Sequence, residues 1–168
     1  MIATAPAWFS RYIDLVPDET LIDALAQNGM PVLQAIVPEL RQLGDTVYAP
    51  GKWTVKDMLQ HITDTERIFA YRALRIMRGD ATPLPGFDEE QYALHTNVRS
   101  LTLDELLAEF DLVRQSGILL FKYATPGMLQ RVGTCNGQTM SGVGIGYTMA
   151  GHLLHHINVL RERYFPLL

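Results

Sequence analysis

The chain has 168 residues, of which 48% are hydrophobic and 19% charged, with a formal net charge of -4 and a pI of about 5.7. That length suits one domain with a full core, and the acidic balance with scattered arginines leaves no basic footprint for nucleic acid. The lone cysteine, Cys135, excludes an internal disulfide. No apolar run approaches the ~18 residues of a membrane span, and the opening residues lack the basic start and apolar run of a secretory signal, so a cytoplasmic protein is expected.

The pattern predicts four helices and no strand. The first runs from about Glu19 to Leu43, with Asp18 as N-cap and Leu21, Leu25, Val32, Ile36 and Leu40 as most of an apolar stripe. Gly29, Pro31 and Pro38 interrupt it, which predicts a kink or break near Met30. Residues 48–52 are a turn. A second helix begins after Trp53, with Thr54 as N-cap and Asp57 completing a weak capping box. Met58, Ile62, Phe69, Ala73 and Met77 mark its buried face, Arg75 and Arg78 suit its C-terminal dipole, and Gly79 stops it.

A long Pro/Gly connection over residues 80–88 follows, with a short helix expected near Glu89 to Leu94. The third helix starts at Thr102, whose capping box closes on Glu105, and Leu103, Leu106, Leu107, Phe110, Val113, Ile118 and Phe121 form its core face. It ends near Thr125-Pro126-Gly127. A Gly/polar loop over residues 133–139 leads into the fourth helix, from roughly Ser141 to Tyr164, closed by Pro166. Four such helices in one chain predict an all-α four-helix bundle, and the long second connection permits a crossover topology.

Histidines carry the chemistry. His61 shares a helical face with Thr54, Met58, Thr65 and Ile68. On the fourth helix His152, His155 and His156 fall within an arc of about 100°. Spacing alone does not choose between His155 and His156 as the partner of His152. The i,i+4 pair His152 and His156 is preferred because it projects two imidazoles from one face, one turn apart. With His61 opposite, three neutral nitrogen ligands converge and one coordination position stays open, the layout of a catalytic metal site. A histidine on an apolar face is more often simply a hydrogen-bonded core residue, so the case rests on the three together. Asp64 is read either as a fourth ligand or second-sphere acceptor, or as a solvated helix residue. Cys135 has no predicted base beside it and makes a poor nucleophile. The chain has no Glu-x-x-His pair for a di-iron site and no His-Glu-x-x-His of a zinc protease. Glycines 142, 144 and 146 are read as close packing or a loosened helix start, and Gly151 as room for a neighbouring helix or a ligand beside His152.

The segment from Gly51-Lys-Trp-Thr through His61-Ile-Thr-Asp64 to Arg67, continued by Arg72 to Asp80 and Pro83 to Asp88, resembles the second-helix signature of the DinB-like (YfiT-like) metalloenzymes. Gly151-His152-Leu-Leu-His155-His156 through Arg161-Glu-Arg-Tyr164 resembles their last helix. The resemblance implies a four-helix bundle, often dimeric, with a divalent metal on three histidines at His61, His152 and His156, and places His155 around rather than in that set. Imidazole suits zinc, nickel, copper and iron alike, so the ion's identity is open, with zinc or nickel expected first and iron after them. The resemblance also implies a low-molecular-weight thiol such as mycothiol or bacillithiol as co-substrate.

The expected function is therefore a thiol-dependent S-transferase acting on a small electrophile, with Arg67, Arg72 and Arg163 as candidate carboxylate receivers. Metal-dependent hydrolysis of a small molecule is the alternative, followed by a metal-binding stress protein without turnover. A helical interaction module with structural histidines is the reading that needs no metal. The expected partners are the thiol and the electrophile, in a homodimer, with neither nucleic acid nor membrane.

Overall fold

The structure, a computed structural model, describes residues 5–168. Three long helices carry it: α5 (Val55–Met77), α7 (Leu103–Lys122) and α9 (Gly142–Val159). The fourth wall is built in pieces, α2 (Leu21–Gln27), α3 (Met30–Gln34) and α4 (Val37–Leu43). Gly29 and the prolines at the starts of α3 and α4 break it, as expected near Met30, and Ile36 interrupts it a second time. Its cap is Thr20, whose hydroxyl accepts from the Asp23 N–H, and not Asp18. Thr also fits an N-cap, and starting at Leu21 puts Leu21, Ala24 and Leu25 into the core.

Cross-helix contacts fix the directions. Lys56 donates to the Leu101 carbonyl, Arg67 meets Glu109, and Glu66 meets Arg114, so α5 and α7 run parallel. Arg114 also reaches the Leu25 and Asn28 carbonyls, and Leu21 lies beside Phe121, so α2 opposes α7. Parallel neighbours need a long overhand connection, and residues 80–102 supply it. It holds α6 (Glu89–Leu94), capped by Asp88, whose carboxylate accepts from the Glu90 and Gln91 N–H groups.

Three features depart from the expected elements. An added helix, α1 (Ala7–Ile13), packs across α9. A short α8 (Pro126–Gln130) follows α7. The expected loop at 133–139 is a hairpin, β1 (Val132–Cys135) against β2 (Gln138–Ser141). Its turn is Asn136-Gly137, both with positive φ (52° and 71°), the two-residue turn that matches strand twist. Leu84 bonds both Thr134 and Asn136 through its backbone, pinning the 80–88 connection to this hairpin. The α9 helix gives way after Val159 to a wider turn and then a 3-10 turn around Pro166.

The core falls into two clusters. One gathers Leu33, Leu40, Leu59, Ile62, Phe110 and Leu153, and the other Leu25, Phe69, Met77, Phe121, Met140 and Met149. Between them the Arg114 guanidinium makes a two-pronged ion pair with Glu66 at 2.7 and 2.9 Å and donates to the Leu25, Asn28 and Met149 carbonyls. Both side chains are buried, at 2% and 1% exposure.

Candidate metal centre

The α5 helix presents His61 and α9 presents His152 and His156, and the three Nε2 atoms converge. His61 Nε2 lies 3.2 Å and His156 Nε2 3.1 Å from His152 Nε2, and one ligand nitrogen from each ring lies within 4.8 Å of the others. His152 is buried, and the other two open partly onto a cavity of about 280 Å3. The α5 helix is fixed at its start by Thr54 and Asp57, which form a complete capping box despite the aspartate. On α9, Gly151 lets α1 come so close that a Cβ there would overlap the Tyr12 carbonyl. The small residue predicted to admit a neighbour thus admits α1, and α1 brings Trp8, Arg11 and Tyr12 to the cavity wall.

Whether these rings fit a cation can be judged from their hydrogens. A ring nitrogen carries one hydrogen or one lone pair, so His152 Nε2 cannot make two good hydrogen bonds, yet it has two nitrogen neighbours. One cation accepts all three lone pairs. Tetrahedral ligation at ~2.0–2.1 Å puts nitrogens roughly 3.3 Å apart, close to the spacing seen. Among the described residues, Nδ1 of His152 and of His156 is buried with no hydrogen-bond partner, so none of them dictates which tautomer these rings adopt. Burial lowers the His61 pKa to about 4, with His155 adding repulsion, and lowers His152 and His156 well below the usual imidazole value. All three are neutral donors at neutral pH. The donor set fits a divalent ion.

The other sequence candidates separate cleanly. His155 does not join the trio; its ring packs edge-on to Tyr12 at 5.3 Å and to His156 at 5.2 Å, on the cavity wall. The geometry therefore selects His156, which spacing had left open. Asp64 accepts from Gln60 at 3.0 Å and Arg67 at 3.4 Å, has no hydrogen bond to an imidazole among the described residues, and stands outside the converging trio. Of the three arginines, Arg67 is paired with Glu109, and Arg163 donates to the Tyr48 hydroxyl at 3.0 Å. Only Arg72 lines the cavity. Cys135 is buried on β1, and burial pushes its thiol pKa up.

Sequence reasoning missed several cavity residues. Trp53 packs on His61 with ring centroids 4.9 Å apart, and its indole donates to Glu90 at 3.3 Å. Phe87 enters from the connection before α6, Glu89 from the first turn of α6, and Asn136 from the hairpin turn. The Trp8-Phe9-x-x-Tyr12 spacing signalled an amphipathic turn that could have revealed α1.

Fold and site together define a helical bundle with three convergent imidazoles at one cavity. The chain belongs to the DinB superfamily, whose sequence pattern matches residues 9–160. Among solved structures it resembles YfiT from Bacillus subtilis, described as a probable metal-dependent hydrolase with an unusual four-helix bundle topology. The identity is 15%, the TM-score 0.72, and the match covers 99% of this chain and 91% of that one. No curated protein matches the chain.

Proposed function

We propose that His61, His152 and His156 hold one divalent metal and that the protein is a metal-dependent enzyme that joins a small thiol to a small electrophile. The carrying observation is the convergence of three neutral Nε2 atoms beside an open cavity. Three neutral ligands leave the ion's charge undiminished, and such an ion makes a thiol or water nucleophilic at neutral pH. In the transfer, the thiol sulfur bonds to the electrophilic carbon, the leaving group departs with its electron pair, and the thiol proton passes to solvent.

The chain's own groups bind and enclose. Trp53, Phe69 and Phe87 give the cavity aromatic walls that exclude water, and Tyr12 packs edge-on against His152 at 5.4 Å, restraining that ring. Among the described residues no carboxylate hydrogen-bonds an imidazole of the trio, which favours a nucleophile that needs no base once its proton is lost. Hydrolysis is the second reading, supported by the description of YfiT and by the Glu89 and Glu90 side chains at the cavity, either of which could take a proton from water. A homodimer in the cytoplasm belongs to the same proposal.

The test is metal content by mass spectrometry on tag-free protein purified without chelator, alongside His156→Ala. Near one equivalent in the parent and little in the variant is expected. The loaded protein is then assayed for thiol consumption with an electrophile, and for ester cleavage without thiol. Loss of both activities with metal retained would leave a non-catalytic metal protein. No metal after loading with zinc or nickel would leave a helical interaction module.

A further inference from the structure

Arg72 is buried in the cavity wall at 5% exposure, yet among the described residues no carboxylate lies within 4.0 Å of it. Arginine is almost never buried without an anionic partner, because removing its charge from water is costly. Among the described residues its only hydrogen bond donates one Nη2 hydrogen to the Pro85 carbonyl at 2.7 Å. Its Cζ lies 5.6 Å from the Phe69 ring and 5.9 Å from the Phe87 ring, between two aromatic walls.

Cys135, the thiol whose charge would act on Arg72, stays neutral because burial pushes its pKa up, and the other charged groups at the cavity do not answer it. Arg11 is folded onto the Trp8 ring at 3.7 Å and donates to the Tyr12 hydroxyl. Glu90 accepts from Trp53, and Glu89 is exposed on the rim.

A second observation points the same way. The Thr65 hydroxyl is buried with no hydrogen-bond partner among the described residues, and Thr65 also lines the cavity. On α5 the residues His61, Thr65 and Arg72 fall within about 40° of one another, so one helix face carries the metal ligand, the orphan hydroxyl and the unpaired cation in a row. Side chains tilt toward the helix N-terminus, which sends the Arg72 guanidinium back toward His61. Phe69 spans the gap, 6.4 Å from the His152 ring and in contact with Arg72.

We infer that this face is an anchor for a terminal carboxylate, so that the enzyme's small substrate or co-substrate is a monocarboxylate with its reacting atom at the histidines and its acid at Arg72 and Thr65. A carboxylate fits better than a phosphate dianion, since one guanidinium with a donor already spent on Pro85 offers a single planar fork. The inference adds a substrate class to the proposed metal enzyme, and only the placement of the reacting atom rests on that reading.

The experiment separates the two claims. Zinc-loaded protein is titrated by calorimetry with the monohydroxamates of succinic, adipic and suberic acid and with their terminal amides, the hydroxamate head serving as a metal ligand. Zinc-free protein is titrated with adipate and adipamide, and zinc content is measured for every variant. At the best chain length the acid should bind roughly tenfold or more tightly than the amide. Arg72→Met should abolish that preference with zinc content unchanged. Thr65→Val should weaken the acid by a smaller factor and raise the melting temperature of the ligand-free protein, because it removes an unsatisfied hydroxyl; this arm stands even if Arg72→Met fails to fold. Equal binding of acid and amide in the parent, or a preference that survives Arg72→Met, overturns the carboxylate anchor. Absence of zinc overturns the metal reading alone, and the adipate–adipamide pair then decides the anchor.

Discussion

The burial of His61, His152 and His156 suppresses their basicity and so keeps their lone pairs available. It also couples the metal-free protein's stability to pH. The folded-state pKa of His61, about 4, lies below the ordinary imidazole value of 6.5, so between those values the unfolded chain binds more protons. Stability from this group is fully present above 6.5 and is lost as pH falls toward 4, on the order of 1–3 kcal/mol. Urea midpoints of chelator-treated protein between pH 7 and 5 should decline, and less steeply in His61→Asn. Identical slopes in parent and variant would count against a buried neutral His61. The histidine identities and the pair spacing were legible in the sequence. Helical spacing alone did not separate His155 from His156, although the i,i+4 preference and the family resemblance favoured His156, and the role of Asp64 stayed open because it depends on where Gln60 and Arg67 lie.

Elements bring those residues together, and the least conspicuous element matters most to the cavity. The α1 helix is held where Gly151 leaves room for the Tyr12 backbone. Gly151→Ala should therefore destabilise by about 1–3 kcal/mol through overpacking. It should also displace Trp8 and Tyr12, seen as altered tryptophan fluorescence and weakened ligand binding in the cavity. A variant with unchanged melting temperature and fluorescence would show that α1 is not docked there. The hairpin was equally readable in principle, because Asn136-Gly137 is a strong turn signal. Its flanking runs are only four residues each and lack strict alternation, so period-based reading passes over them. The long helices α5 and α7 were clear because each pairs a capping box with a sustained apolar face.

At the level of the whole molecule, the Arg114–Glu66 pair ties α2, α5, α7 and α9 into one bundle. Burial pushes the Glu66 carboxyl pKa up while Arg114 pulls it down, so each partner is costly without the other. Arg114→Met and Glu66→Leu should each cost about 3–5 kcal/mol, and the double variant much less than their sum. Additive losses in denaturant unfolding would rule out this coupling. The sequence reading found no polar centre besides the histidines. It overlooked Arg114 on the apolar face of α7, one turn after Phe110 and two turns before Phe121, where a charge implies a buried partner that the sequence does not name.

By itself the sequence determined the helical class, the long capped helices, the break near Met30 and the three histidines, because caps, periodicity and i,i+4 spacing act within a few residues along the chain. Only the tertiary structure decided the parallel course of α5 and α7, the docking of α1, and which polar groups are left unpaired inside the cavity. Those follow from contacts between residues far apart in sequence, such as Glu66 with Arg114 and Tyr12 with Gly151. Local pattern can show that such residues are unusual, but burial and pairing are properties of the packed neighbours.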